Sequence, residues 1–491
     1  MASSAVGRRA FVKGAAGALA ASALAACAPK TVVVKETVEV EKVRTVEVER
    51  TVVVEVHEPA RIAFWTFLGR EEEAIVKLFM GQYPQVTVEM SELGDAVFGD
   101  EKFLTAVAAG KGPDVAVQNR HTFMQFAAKG LYQDVTPYFE KAGMKKADFM
   151  PVQIEETSWQ GKIYGLPRET DCRFLYWNRK HFREAGLDPD TPPATYAELE
   201  AFTERLTKKD SQGNFERMGF VPYLVGNSWM WLYGFLNKAP AISDDKRTIL
   251  CDDPRWVEAL EWMVSFYDKY LGSFEITSAF TAGVTGPLPD HFIMEKVSMV
   301  AHCDTVVGSL LRKPDLEWDV APMPIPPGGE KSSWSCGWSI VMAPSAKAPD
   351  AAWTFMSWWT GLDGWRARAK VYKEETARMW EREQIKGEPL YMPWDAVYLP
   401  AVKMLEEEYI SVLPDLLKKH WTLSMDCLAN WTHGCGTEMG VAALQYWVEM
   451  DNAVRAALAH KLTPKEAMAQ AKAKVQEATD KAWEAIEAQK S

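Results

Sequence analysis

Twenty of the 491 residues are Trp, a large supply for a chain whose hydrophobic content is an ordinary 47%. Indole rings mostly pack in cores, and a minority stand as flat plates against ligands whose faces are weakly apolar and whose rims are polar. A sugar is such a ligand, with C–H patches on its faces and hydroxyls around its edge. Trp353, Trp358 and Trp359 fall on a helical apolar pattern and read as core. Other aromatic residues follow predicted strands, where the ligands of open α/β sheets sit. They are Trp65 and Phe67 in RIAFWTF, joined by Gln118, Arg120 and His121 after PDVAV. In GNSWMWLYGF, Asn227 adds a polar group. An extended segment there would put Trp229 and Trp231 on one side, whereas a helix would separate them.

The signatures of catalysis are missing: the chain has no HExxH, GxSxG, P-loop, CxxC or GxGxxG pattern. No catalytic residue and no cofactor are therefore expected, and GCGTEMG is a plain glycine-rich loop. His291, His302, His420 and His433 lack metal-ligand spacing. Asp188 and Asp190 lie in a Pro-rich turn without the rest of a calcium loop, so no metal site is expected. The separation of two carboxylates is a three-dimensional quantity, which keeps a secreted glycoside-acting enzyme as an alternative, beside a surface adhesin.

These residues need a frame to hold them. RIAFWTF reads as a short buried strand, GREEEAIVKLFMGQYP as a helix with acidic residues at its N-terminal dipole, VTVEM as a second strand, FLTAVAAG as a helix and PDVAVQ as a third strand. Strands alternating with helices predict an α/β fold with a parallel sheet covered on both faces. Roughly 430 residues are too many for one core, so two domains are expected.

The N-terminus sets the compartment. Arg8 and Arg9 precede an apolar run, Ala15 to Ala26, too short to span a bilayer. GRRAFVKG resembles a twin-arginine export signal, and LAAC, Leu24 to Cys27, resembles a bacterial lipobox whose Cys is acylated. The expectation is a signal peptide over 1–26, then a lipidated Cys27 that anchors the chain to a membrane. A low-complexity tether over 27–58 follows, in which TVEVEK and TVEVER recur, with a multimerising stalk as the sharper alternative. The formal charge is −12, and loss of residues 1–26 removes Arg8, Arg9 and Lys13. With no basic footprint, no nucleic-acid partner is expected. Beyond Cys27 lie Cys172, Cys251, Cys303, Cys336, Cys427 and Cys435. An oxidising compartment permits disulfides among them, and Cys427 with Cys435 is the closest pair in sequence.

From about Arg61 onward the chain resembles the extracellular solute-binding proteins of family 1, the maltose-binding-protein-like lipoproteins of ABC importers. Five elements in order carry the resemblance: IAFWTFLGREEEAIVKLFMGQYPQVTVEM; AAGKGPDVAVQ; GKIYGLPRETDCRFLYWNRKHFREAGLDPDTPPATYAELEAFTERLT; FIMEKVSMVAHCDT with WDVAPMPIPPGGE and SCGWSIVMAPSAKAPDAAWTFMSWWT; and LTPKEAMAQAKAKVQ. It implies a two-lobe periplasmic-binding-protein type II fold with a hinge and an interlobe cleft. Lobe one is expected over 60–168 plus 338–388, and lobe two over 172–335 plus 389–488. The implied protein is a monomeric, extracytoplasmic binding component that captures a mono- or oligosaccharide and passes it to permease subunits. A non-sugar metabolite such as a polyol phosphate is the alternative ligand.

The resemblance also implies roles for residues. Asp171 and Glu169 stand at the crossover as acceptors for ligand hydroxyls. His302 and Asp304 occupy a loop where the family often has Gly or Asn before an aromatic platform, and Trp334 and Trp338 beside the return strand are expected to replace that platform. Trp447, next to Tyr446, falls where another stacking ring is common. Cys172 and Cys336 fall on neighbouring hinge strands, which implies a disulfide between them. Residues 389–436 are longer and richer in Trp than the family pattern.

Overall fold

In the computed structural model, residues 59–67, 69–93, 101–224, 229–283 and 290–489 are described. Residues 1–58, with the expected signal, Cys27 and most of the tether, lie outside them, as does Asn227.

Two sheets organise the chain. The first is built from β1 (Ala60–Thr66), β2 (Val86–Glu92), β3 (Val115–Asn119) and β4 (Gly165–Thr170), in chain order. After Asp171 and Cys172 the chain enters the second sheet through β5 (Arg173–Asn178), and continues with β6 (Phe215–Phe220), β7 (Val297–Cys303) and β8 (Trp318–Ala321). A short strand, β9 (Ser333–Ser335), leads through Cys336 back to the first sheet as β10 (Gly337–Met342). Later come β11 (Asp395–Ala396) and β12 (Thr432–Gly434). The first sheet has the order β11-β4-β10-β3-β1-β2, and the second β8-β5-β7-β6 with Lys208–Lys209 at its edge. β1 runs parallel to β2 and β3, while β10 inserts antiparallel between β3 and β4. The two-lobe α/β expectation is met.

The local sequence explains these elements. Every residue of β4 and β5 is buried, with Leu166, Phe174, Leu175 and Tyr176 in the apolar cores and Arg168, Glu169 and Arg173 in ion pairs. β1 instead alternates, because its neighbours cover it unevenly. The helix Arg70–Gln82 opens on Glu71, Glu72 and Glu73, which suits its positive end. Thr195 with Glu198 and Thr463 with Glu466 form capping boxes for the helices Tyr196–Leu206 and Pro464–Ala488. Trp353, Trp358 and Trp359 are core, packed with Phe64 and Phe355.

Two departures concern the late segments. Asp395–Ala396 was expected in lobe two, yet it pairs with Thr170 and Glu169 as the edge strand of the first sheet. The helices that follow, Leu399–Glu408 and Asp415–Asn430, pack against Phe174, Tyr176, Val300 and Val320 of the second sheet. The stretch 389–436 thus braces both halves. The C-terminal helix does the same: Met468 and Val475 join the core of the second lobe, while Trp483 and Ile486 pack with Phe123 and Val341 of the first.

Candidate functional site

The chain crosses between the sheets at Asp171–Cys172 and at Cys336, and the two crossings lie side by side. The Asp171 amide donates to Cys336 O (3.3 Å), and the Cys336 amide donates to Asp171 Oδ1 (2.8 Å). Arg173 pairs with the same carboxylate, donates from Nη1 to Trp334 O (3.0 Å), and lies 4.0 Å from the centroid of the Trp334 ring. Asp171 keeps part of its surface open to solvent.

Arg120 is not a ligand contact. Its five N–H donors are all taken: Nε by Glu156 Oε2 (2.8 Å), Nη1 by Glu169 O (2.5 Å) and Trp338 O (2.8 Å), and Nη2 by Thr170 Oγ1 (2.9 Å) and Cys336 O (2.6 Å). It is 0% exposed. Glu156 accepts in addition from the Gly436 amide at 2.7 Å. Arg120 therefore fastens β3, both crossings and the 389–436 stretch together. Gly337 makes this possible, since its φ is +140° and a Cβ there would come within 2.5 Å of Glu169 O and 2.8 Å of Arg120 Nη2.

Five further expectations are corrected by partners found in the interior. Gln118 is buried, donating to Val117 O and accepting from Tyr132. Glu169 is buried against Arg168, with Arg368 3.8 Å away. Trp231 lies on the helix Trp229–Leu236, not on a strand, and its ring packs against Trp256 and Tyr446. Asp304 accepts from the Cys172 amide (2.9 Å) and from Ser424 Oγ (3.2 Å), which makes it a tie at the first crossing. Trp334 is 1% exposed beneath Arg173.

Several rings remain partly open, each with a ring or polar neighbour. Phe67 and Trp338 stack with centroids 4.1 Å apart on the first lobe. Trp65 has Lys102 Nζ 5.2 Å from its centroid. His121 lies 5.1 Å from Trp447, whose helix, Ala443–Leu458, belongs to the core of the second lobe. That contact spans the two halves. Asn119, missed by sequence reasoning, orients His121: its Oδ1 accepts from the His121 amide (3.0 Å) and from Nδ1 (2.5 Å). The signal was available, since an Asn that opens a turn two residues before a His is a local cap. Burial holds the His121 pKa down at about 4, so the ring is neutral at pH 7 and Nε2 carries the lone pair. His302 is the opposite case: burial opposes its charge, but Cys303 and then Asp290, 3.2 Å away, outweigh it and hold its pKa up at about 10. Trp229 opens its helix beside the undescribed Asn227.

The expected Cys172–Cys336 pair does not form. Cys336 Sγ lies 2.6 Å from Cys435 Sγ, and Cys172 faces Cys427. Among the described residues no group of His, Cys, Asp and Glu is arranged to hold a metal ion, and no helix is long and apolar enough to cross a membrane.

Comparison with known proteins agrees with this architecture. A binding protein of Brucella abortus (strain 2308) is 23% identical over 297 residues, covering 60% of this chain and 69% of its own. The maltotriose-binding protein of Pyrococcus abyssi is 20% identical, covering 59% of each chain. The sn-glycerol-3-phosphate-binding periplasmic protein of Shigella dysenteriae is 26% identical over 154 residues, 30% of this chain and 35% of its own. Among solved structures, a protein with mannotriose bound superposes with a TM-score of 0.69 at 25% identity, covering 85% of this chain and all of that one. An ABC-transporter solute-binding protein of Thermotoga lettingae with α-D-tagatose gives 0.65 at 21% identity, covering 86% of this chain and all of that one. The family model for bacterial extracellular solute-binding proteins matches residues 74–378. Matched over more than half its length and built on two sheets with twin crossings, the chain belongs to the bacterial extracellular solute-binding protein family.

Proposed function

We propose that the ligand of this importer-linked, extracytoplasmic binding protein is a carbohydrate, a mono- or oligosaccharide held between the lobes. The observation that carries this reading is the pairing of His121 from the first lobe with Trp447 from the second, beside the Phe67–Trp338 stack. Rings offer flat apolar faces to sugar C–H groups, while Asn119, His121 Nε2 and the open edge of Asp171 offer acceptors to hydroxyls. The mannotriose, tagatose and maltotriose binders among the similar proteins support the same class. Trp65, His302, Asn227 and Trp229 complete the proposed contact set. The same reading gives the protein a monomeric body, export by the twin-arginine route and a lipid anchor at Cys27.

A phosphorylated polyol is the second reading, favoured by the glycerol-phosphate-binding relative. It needs cations that face the ligand: Arg120, Arg168 and Arg173 are each engaged by carboxylates or carbonyls, the charged His302 is paired with Asp290, and Lys102 stands over Trp65. Thermal-shift and calorimetric titration of the mature chain with mannotriose, maltotriose, tagatose and sn-glycerol 3-phosphate separates the two. A saccharide is expected to raise the melting temperature, because it binds only the folded state, and to be recovered unchanged. Trp338→Ala and Trp447→Ala should each weaken that saccharide at least about tenfold. Response to the phosphate ester alone, or full affinity in both variants, would overturn the assignment.

A further inference from the structure

The two crossings between the lobes each carry a cysteine, and each cysteine has a thiol partner in the same inserted stretch. β9 and β12 run parallel in the register Ser333↔Thr432, Trp334↔His433 and Ser335↔Gly434. The next residue on each strand is a cysteine, Cys336 and Cys435, so the register itself brings the two side chains together. Their Sγ atoms are 2.6 Å apart, well inside non-bonded contact of two sulfurs, and both residues are buried in one core cluster. At the other crossing Cys172 faces Cys427 of the helix Asp415–Asn430, inside the second cluster of the same lobe. Cys251 and Cys303 have no such neighbour among the described cysteines; Cys251 sits against Met468, and Cys303 contacts Thr305.

We propose that the secreted chain carries a Cys336–Cys435 disulfide, with Cys172–Cys427 as its companion, so that the stretch 389–436 is a covalently fastened brace on both hinge crossings. The compartment of an extracytoplasmic binding protein allows such bonds to persist. The chemistry is thiol–disulfide exchange. One cysteine thiolate attacks a dithiol-type oxidant in its disulfide form, giving a mixed disulfide, and the second cysteine displaces it. The pair loses two protons and two electrons, and the oxidant leaves as a dithiol. Both sulfurs are buried in the finished core, so the oxidant reaches them when the brace opens locally after export. The bond closes a loop of 99 residues, long enough to restrict the unfolded chain substantially. It also holds Cys336 where its amide and carbonyl serve Asp171 and Arg120.

The test is peptide mapping of the full mature chain, exported and purified without reductant, with thiols alkylated under denaturing conditions before digestion. The expected result is a Cys336 peptide linked to a Cys435 peptide and a Cys172 peptide linked to a Cys427 peptide, with Cys251 and Cys303 alkylated. Alkylation of both Cys336 and Cys435, or linkage of either to another cysteine, overturns the proposal. Free Cys172 and Cys427 beside a linked Cys336–Cys435 overturns the brace at the first crossing. A second measurement does not depend on a variant that folds: dithiothreitol should lower the melting temperature of the wild-type chain by about 5 °C or more. An unchanged melting temperature after complete reduction sinks the idea, whatever the ligand proves to be.

Discussion

Arg120 shows how a single side chain can be misassigned when only its neighbours in sequence are known. It follows a strand, beside His121, and by that criterion belongs with ligand contacts. Its actual partners are Glu156, Glu169, Thr170, Cys336 and Trp338, spread over a separation of 218 residues. A buried guanidinium with every donor occupied has nothing left for a ligand, and its planar fork cannot be copied by an ammonium. Arg120→Lys should therefore lower stability by about 3–5 kcal/mol in urea titration, because an ammonium cannot reach all five acceptors and leaves buried carbonyls without donors. The loss should appear equally with and without saturating ligand, after allowance for binding to the folded state. A stability unchanged from wild type would return Arg120 to the cleft. Asp304 and Glu169 were illegible for the same reason, since Ser424 and Arg368 reach them from far along the chain.

At the scale of elements the sequence was a good guide wherever hydrophobic pattern and punctuation agreed. β1, β2 and β3 lie where apolar runs and the turn before Pro113-Asp114 put them, and Asp114 explains why: its carboxylate accepts from the Ala63 and Lys347 amides, clamping β3 to its surroundings. In WMWLYGFL the extended and the helical readings both stayed open. A segment apolar on every side has no period to read, so a buried helix and a buried strand look alike. The structure resolves it as the helix Trp229–Leu236, packed so closely on Trp256 that a Cβ at Gly234 would overlap that ring. Trp231→Ala should leave a cavity there and cost about 3–5 kcal/mol in denaturant titration. The variant's saccharide affinity should stay within about twofold of wild type, and a collapse of affinity with intact stability would put the ring back in the site. β11 and β12 were missed, because strands of two or three residues carry no periodicity of their own.

For the whole molecule, protons report on folding, because its histidines are divided between two environments. Burial holds His181 at about 4 and His420 at about 3, and does the same for His121 at about 4, whereas each titrates near 6.5 in the unfolded chain. Groups depressed in this way contribute stability that is present above pH 6.5 and lost as the pH falls toward their folded values. Asp304 opposes them with one proton: burial, together with Asp171, raises it to about 6, so its contribution is complete below about 4 and disappears as the pH rises through 6. Asp395, buried against Asp304, is raised well above the usual carboxylate range and holds a second native proton, so three imidazoles stand against two carboxyls and the unfolded chain binds about one more proton than the native one as the pH nears 5. Stability should then fall with a slope that steepens to about 1 kcal/mol per pH unit as the pH drops from 6.5 to 5. His302 works on the alkaline side, because a folded value of about 10 makes its contribution full below 6.5 and gone above 10. The optimum is expected near neutrality, where urea midpoints measured across this range should peak. His420→Gln keeps a polar partner for Tyr176, 2.8 Å away, and removes one titrating group from the unfolded chain. Its acid limb should be shallower than that of wild type by about 1 kcal/mol per pH unit as the pH nears 5. An identical slope in the two proteins would mean that His420 is already charged in the native core, and the packing of the 389–436 brace on β5 would need another explanation.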